Sequence, residues 1–373
     1  MHSAKRPIRL LSLPMLSAAG KHLALVPAAL LLAACATTTT STTEPGAASR
    51  PAEQVARPAV PAAPTPEELT LKSLVALQDR LYRVAAPLII SNPELCKANA
   101  RNLLGFTAKN RYSYSQDYVS AAQTALGLGD QLQIMGVLEG SGASRAGVRP
   151  GDSILAVEGQ RLPEGQNAER QAAGILAPIV TKRSSVKLSL VREGSEIEVT
   201  VPLTFACAYG FELGNTDIVN AYSDGHRVLV TRGMMNFART DDELAYVIAR
   251  EMAHNALAHP ARQRTSATIG GVIDNLTRIR PDMSMMTGLA GIKPMPQSQD
   301  AMADKLAIYM LARANYKVDG VVPFWRRLAA QYPPSMLNAY TALHPSTNYR
   351  VTIIERTLKD VRAKQAAKKP IMP

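Results

Sequence analysis

The sequence predicts an α+β protein in which a β-rich middle domain precedes a mainly helical domain with a small β element. Two patterns support this prediction. Residues 186–191 and 197–203 alternate apolar and polar side chains and meet at Glu193-Gly194, as in a β-hairpin. Residues 240–260 carry apolar side chains at steps of three and four, which is the period of an amphipathic helix.

The chain begins with a segment that resembles a secretory signal. Basic residues precede a short apolar run at residues 23–34, which is too short to span a membrane. Leu32-Ala33-Ala34-Cys35 resembles the lipobox of bacterial lipoproteins, which implies loss of residues 1–34 and a lipid anchor on Cys35. An ordinary signal with an incidental cysteine is the alternative. Ala36 favours the periplasmic side of the outer membrane, with the inner membrane as the other location.

Two regions separate this segment from the β-rich domain. Residues 35–66 contain the lipidated cysteine and a Thr-, Ala- and Pro-rich stretch that is expected to be a disordered tether. Residues 67–125 form a helical region that starts with an amphipathic helix from residue 67 to about 90. Loss of residues 1–34, which hold four Lys/Arg and no Asp or Glu, lowers the formal net charge from +12 to +8. This surplus suits an anionic lipid surface, and without a nucleic-acid motif it is expected to be a solvated basic face.

Cysteine is sparse, with three residues in the chain. Once Cys35 carries lipid, Cys96 and Cys207 remain, and a periplasmic location permits a disulfide between them. Two separately buried thiols are the alternative. Neither cysteine lies in a Cys-x-x-Cys pair, so redox catalysis has no support.

Residues 126–205 resemble a PDZ domain. The resemblance rests on Gly140-Ser141-Gly142-Ala143 as the turn into a short helix, on Pro150-Gly151-Asp152 as the turn into a strand, and on the closing hairpin. It implies capture of extended peptide ends by strand addition. Gly127-Leu128-Gly129 is the expected carboxylate-binding loop, and a purely structural domain is the alternative.

The helix at residues 240–260 carries an incomplete metal-binding motif. Thr240 and Glu243 are spaced as a capping box, and Pro260 is expected to end the helix. Arg250-Glu251-Met252-Ala253-His254 overlays His-Glu-x-x-His except at the first position. In that motif two imidazoles hold zinc while the glutamate acts on a bound water. Arginine has no lone pair for a metal.

The surrounding residues are similar to the CAAX-prenyl-protease-like family of zinc metallopeptidases, in its periplasmic branch, from residue 219 to about 356. The resemblance implies a zincin-like domain at residues 206–366, followed by a tail at 367–373. It places Asp300, of Asp300-Ala-Met-Ala-Asp304, at the position of the third zinc ligand. His344-Pro345 resembles an element that in some members places a further histidine over the metal.

The sequence allows two functions. If the protein is active, the resemblance implies a zinc metalloendopeptidase with Glu251 as general base and His254, Asp300 and His344 as ligands. If Arg250 replaces the metal by pairing with Asp300 and Glu251, the protein is a pseudopeptidase without a cofactor. The expected partners are unfolded or C-terminal segments of envelope proteins and a membrane. The Met- and Gly-rich segment 281–296 is expected to be a lid, or else a plain surface loop.

Overall fold

The computed structural model describes residues 63–262, 294–336 and 339–373. The expected signal, the lipidation site Cys35 and the tether up to residue 62 lie outside these ranges, as do residues 281–293 of the expected lid. Among the described helices, none is long and apolar enough to cross a membrane.

The described chain begins with a long helix that contacts both halves of the molecule. Helix α1 (Pro66–Ser91) starts at a complete capping box, in which Thr65 and Glu68 each accept the other's backbone N–H at 3.2 Å. Its bounds agree with the predicted helix. Helix α2 (Pro93–Cys96) follows, and a 3₁₀ turn (Lys97–Asn99) leads into the first strand.

A six-stranded sheet forms the β-rich part and starts earlier in the chain than the sequence predicts. Strand β2 lies at one edge, and the order from that edge is β2-β3-β4-β6-β7, with β5 paired to β4. Its strands are β2 (Phe106–Lys109), β3 (Gln133–Val137), β4 (Ser153–Val157), β5 (Gln160–Arg161), β6 (Ser185–Arg192) and β7 (Ser195–Pro202). Helices α3 (Val119–Leu126), α4 (Gly142–Arg145) and α5 (Ala168–Lys182) and the 3₁₀ turns Arg111–Ser113 and Gln116–Tyr118 connect them.

The β6–β7 hairpin is confirmed. Its two-residue turn is Glu193-Gly194, with φ angles of 48° and 81°. A two-residue turn with both φ angles positive matches the twist of the flanking strands. Glycine adopts this conformation at little cost, which explains its place here.

A separate two-stranded ribbon lies beside the sheet. Strand β1 (Ala100–Leu103) pairs antiparallel with β8 (Thr204–Cys207), which begins directly after the predicted closing hairpin ends at residue 203. Cys96 and Cys207 form a disulfide with a Cα–Cα distance of 5.6 Å, so the alternative of two separate thiols is wrong. The disulfide ties β8 to α2, and both cysteines are fully buried.

Gly142 at the start of α4 is expected to tolerate no larger residue. A Cβ atom there would lie 1.6 Å from the carbonyl oxygen of Pro202. Gly142→Ala should therefore lower the free energy of unfolding by about 1–3 kcal/mol, because α4 or β7 must move. Gly174→Ala in α5 is the control, since its Cβ would meet no atom within 4 Å, and it should raise stability by about 0.4–1 kcal/mol. Urea denaturation midpoints measure both, and equal shifts would contradict the packing argument.

The second half of the chain combines a small sheet with a helical bundle. Strands β9 (Gly210–Gly214), β10 (Ala221–Ser223) and β11 (Arg227–Thr231) form a sheet in the order β10-β11-β9, with β9 parallel to β11. The helices are α6 (Arg232–Phe237), α7 (Asp241–Ala256), α8 (His259–Arg262), α9 (Gln297–Arg313), α10 (Val321–Gln331), α11 (Tyr340–Leu343) and α12 (Asn348–Ala366). Helix α7 packs against α9, and α9 packs against α12.

Helix α7 differs from its prediction in three ways. Thr240 caps it as expected, but Glu243 accepts the N–H of Arg239 at 2.8 Å, so the reciprocal half of the capping box is wrong. Every residue from 244 to 256 is buried, so α7 is not amphipathic with a solvated face. The reason is that α9 covers its polar side. The helix ends at Ala256, and Pro260 lies inside the next helix, α8.

Candidate active site

Arg250 lies at the centre of the candidate active site, with only 1% of its surface exposed. Its Nη2 is 2.6 Å from Asp300 Oδ1, and its Nε is 2.7 Å from Asp304 Oδ1. Its Nη1 donates to the hydroxyl of Tyr340. The predicted pairing of Arg250 with Asp300 is therefore confirmed. The direct pair with Glu251 is long, at 3.8 Å, because Tyr340 lies between the two side chains.

Asp304 and Arg350 extend this cluster from the opposite side. Arg350 donates to Asp304 through Nε at 2.7 Å and through Nη2 at 3.0 Å. Its Nη1 donates to the carbonyl oxygens of His344 and Pro345. Asp304 therefore bridges two buried arginines and joins α7, α9 and α12.

Glu251, the expected general base, accepts hydrogen bonds from two hydroxyl groups. Tyr340 donates to its Oε1 at 2.7 Å, and Ser223 at the end of β10 donates to its Oε2 at 2.8 Å. Both contacts are buried. Each carboxylate oxygen therefore has one hydroxyl donor and keeps a second lone pair.

The two histidines of the expected ligand set lie on either side of Asp300. His344 Nδ1 is 2.8 Å from Asp300 Oδ1, and His254 Nδ1 is 3.0 Å from His259 Nδ1. Ligand atoms of Glu251, His254 and His344 lie within 4.8 Å of one another. The structure therefore brings the expected site residues together around one point.

Burial and charge fix the protonation states of this cluster. Burial opposes the charge on Arg250, but Tyr340, Asp300 and Asp304 hold its pKa well above the ordinary value. Burial likewise raises the pKa of Asp300, yet Arg250 and His344 outweigh it and the pKa lies well below its usual range. Burial lowers the pKa of His254 well below its ordinary value. The site therefore holds a cationic Arg250, an anionic Asp300 and a neutral His254.

The residue at the first position of the zinc motif does not fit a metal ligand. The first ligand position holds a permanent cation, whose Nη2 binds the same Asp300 oxygen that His344 contacts. Within the described chain, His254 Nε2 and Asp300 Oδ2 are buried atoms without a hydrogen bond, and Glu251, His254 and His344 form a group whose ligand atoms lie close enough to share a metal. A catalytic zinc needs three protein ligands and a general base, so without a ligand at position 250 the metal would have to rely on His254, Asp300 and His344. We derive no reaction step through a metal.

Sequence reasoning missed Tyr340, Ser223 and Trp325. Tyr340 connects Arg250 to Glu251, and its ring stacks on Trp325 with centroids 5.5 Å apart. The guanidinium carbon of Arg250 lies 5.5 Å from the Trp325 ring centroid and 5.4 Å from that of Tyr340. Trp325 is the one tryptophan of the chain, and this could have marked it in the sequence as a candidate site residue. No local pattern marked Ser223 or Tyr340.

A second candidate site is a groove beside the edge strand β2. Its cavity of about 670 Å³ lies between the end of β1 with the following loop and helix α5. In the described part of the chain, the N–H groups of Leu104 and Gly105 in that loop donate no hydrogen bond. Its apolar lining includes Leu103, Leu104, Phe106, Leu138, Leu176, Val180 and Phe205.

The predicted carboxylate loop, Gly127-Leu128-Gly129, does not line this groove. Gly127 caps the end of α3 with φ 68°, and Leu128 is fully buried in a small cluster with Leu71. The carbonyl oxygen of Gly129 accepts the N–H of Arg111. This segment is therefore a helix cap anchored in a core, and the loop at Leu104-Gly105 lies at the groove instead.

Comparisons with known proteins find a family match in the second half of the chain. Residues 201–358 match the family described as Peptidase family M48. The "Beta-barrel assembly-enhancing protease" of Escherichia coli (strain K12) is 25% identical over 205 residues, covering 48% of this chain and 40% of that protein. The "Mitochondrial metalloendopeptidase OMA1" of Schizosaccharomyces pombe is 24% identical over 147 residues, covering 38% of this chain and 44% of that protein. The chain thus spans less than half the length of these relatives.

A solved structure is similar to part of the chain. The match to the HtrA3 PDZ domain bound to a phage-derived ligand covers 28% of this chain and 86% of that domain's chain, with 16% identity and a TM-score of 0.21.

M48 family metallopeptidases are zinc-dependent, whereas the described site centres on Arg250. Residues 201–358 of this chain match a Peptidase family M48 domain.

Proposed function

We propose that this protein is an envelope quality-control protein that binds peptide segments and does not cut them. The observation that carries the proposal is the buried guanidinium of Arg250 at the first ligand position, held by Asp300, Asp304 and Tyr340. On this proposal the M48 domain has exchanged a metal for an arginine-carboxylate cluster. The cluster then joins α7, α9 and α12 in place of a metal ion.

The envelope location is supported by the relatives. Proteins named for enhancing β-barrel assembly are 25–26% identical to this chain over 165–205 residues. We propose the periplasmic side of the outer membrane as the site of action, with a lipid on Cys35 as the anchor. Unfolded or C-terminal segments of envelope proteins are the proposed partners.

The groove beside β2 supports the proposal that the protein binds peptides. An edge strand leaves half of its backbone groups unpaired, and an extended peptide can add to it as another strand. The unbonded N–H groups of Leu104 and Gly105 at the end of the groove suit a terminal carboxylate. Arg101 also lines the cavity and forms no ion pair within the described chain, so the charge there favours an anionic chain end.

Zinc content tests the loss of catalysis. Elemental analysis of the purified protein should find less than stoichiometric zinc, because Arg250 offers no lone pair. Arg250→His should gain zinc, because it restores an imidazole one helical turn before His254. Adding His254→Ala to that variant should abolish the gain. Stoichiometric zinc in the native protein, lost on His254→Ala, would contradict the proposal that Arg250 takes the place of the metal ion.

Peptide binding is tested with fluorescein-labelled octapeptides that end in leucine as the free acid or as the amide. The free acid should bind at least tenfold more tightly, because the amide carries no charge for the loop to hold. Fluorescence anisotropy at two salt concentrations measures both affinities. Failure of the folded protein to bind either form would argue against the peptide-binding proposal.

A second candidate function is a zinc metalloendopeptidase that keeps its metal on altered ligands. The specific observation in its favour is that His254 Nε2 and Asp300 Oδ2 are buried without a hydrogen bond in the described chain. His344 would be the third ligand, and Glu251, which accepts hydrogen bonds from Tyr340 and Ser223, would act as base. The zinc measurement separates this candidate from the first.

A further inference from the structure

The ribbon of β1 and β8 gives the groove a wall that comes from outside the six-stranded sheet. Within β8, Thr204 and Ala206 are buried, whereas Phe205 between them is 59% exposed. Phe205 pairs directly with Asn102 across the ribbon, so both side chains lie on the same face. Both residues line the cavity.

This wall is fixed to the core of the M48 domain. Cys207, two residues after Phe205, is buried in that core and is bonded to Cys96. On the other side, β1 runs through Leu103 directly into the loop at Leu104-Gly105. Phe205 therefore stands beside the end of the groove where the unbonded N–H groups lie.

We propose that Phe205 is a specificity-determining residue of the groove and contacts the last side chain of a bound peptide with a free C-terminus. This inference rests on the proposed peptide binding. The kind of peptide that the groove would bind follows from the charged groups and the apolar side chains that line it. Arg101 and the loop N–H groups favour a carboxylate, and Leu103, Leu176 and Val180 surround the adjoining space with apolar surface. The last residue of the peptide is therefore apolar and large enough to reach the Phe205 ring.

The experiment uses the full-length protein and four fluorescein-labelled octapeptides that differ only in their last residue, which is Ala, Val, Leu or Phe. Phe205→Ala should weaken binding of the Leu and Phe peptides about tenfold, the effect of removing one aromatic anchor. It should change binding of the Ala peptide less than threefold. Phe205→Leu should restore part of the lost affinity. Leu69→Ala is the control, since Leu69 is also an exposed large apolar residue (55%) and does not line the cavity.

The outcomes separate this inference from the peptide-binding proposal. If the native protein binds none of the four peptides, the peptide-binding proposal fails. If the native protein binds them and Phe205→Ala leaves both affinity and ranking unchanged, the role of Phe205 is overturned while peptide binding stands. An equal loss for all four peptides, or binding of the amide forms with the same affinity, would also overturn it. Because Phe205 is exposed, the urea midpoint of Phe205→Ala should match that of the native protein.

Discussion

Replacing Arg250 with methionine is expected to lower the free energy of unfolding by about 3–5 kcal/mol. The substitution keeps much of the side-chain volume but removes the charge that faces Asp300 and Asp304, each at most 2% exposed. Asp300 would lose its cation at 2.6 Å and keep His344, His254 and the more distant Arg350 at 3.8 Å, so much of the desolvation cost of its buried carboxylate would no longer be offset. Urea denaturation with a fluorescence readout measures the change.

Two comparisons make this prediction specific. Arg326→Met removes an arginine that is 65% exposed and 3.8 Å from Glu355, and it should cost less than about 1 kcal/mol. Combining Arg250→Met with Asp300→Asn should cost less than the sum of the two single changes, because the second removes the charge that the first leaves unpaired. Additive costs, or an Arg250→Met protein as stable as the native one, would contradict a buried arginine-carboxylate cluster.

Removing the disulfide should have the other large effect. Replacing both Cys96 and Cys207 with serine is expected to lower the free energy of unfolding by about 2–5 kcal/mol. The bond joins residues 111 positions apart, and a closed loop of this length restricts the unfolded chain strongly. The measurement is again urea denaturation, under oxidising conditions.

The control for the disulfide is the same pair of proteins under strongly reducing conditions. There the native protein has also lost its bond, so the two denaturation midpoints should converge. A difference that persists in the reduced state would mean that serine at these fully buried positions is itself responsible, through lost packing.

Local sequence determined the elements whose rules span a few residues. The Glu193-Gly194 turn set the β6–β7 hairpin, and α1 lies at Pro66–Ser91, close to the predicted bounds of 67 to about 90. Thr240 fixed the start of α7, and the spacing of residues 250, 251 and 254 placed them together on it. Helical period, turn geometry and capping depend on neighbours along the chain, so a single sequence is enough to predict them.

The tertiary structure decided which side chains meet across the chain. Arg250 binds Asp304, 54 residues away, and Tyr340, 90 residues away, because α9 and α11 pack beside α7. The choice between a disulfide and two thiols depended on how closely α2 approaches β8. The groove formed at Leu104-Gly105 because β2 became the edge strand, while Gly127 served as a helix cap. Such contacts arise from packing between distant segments, which no local spacing specifies.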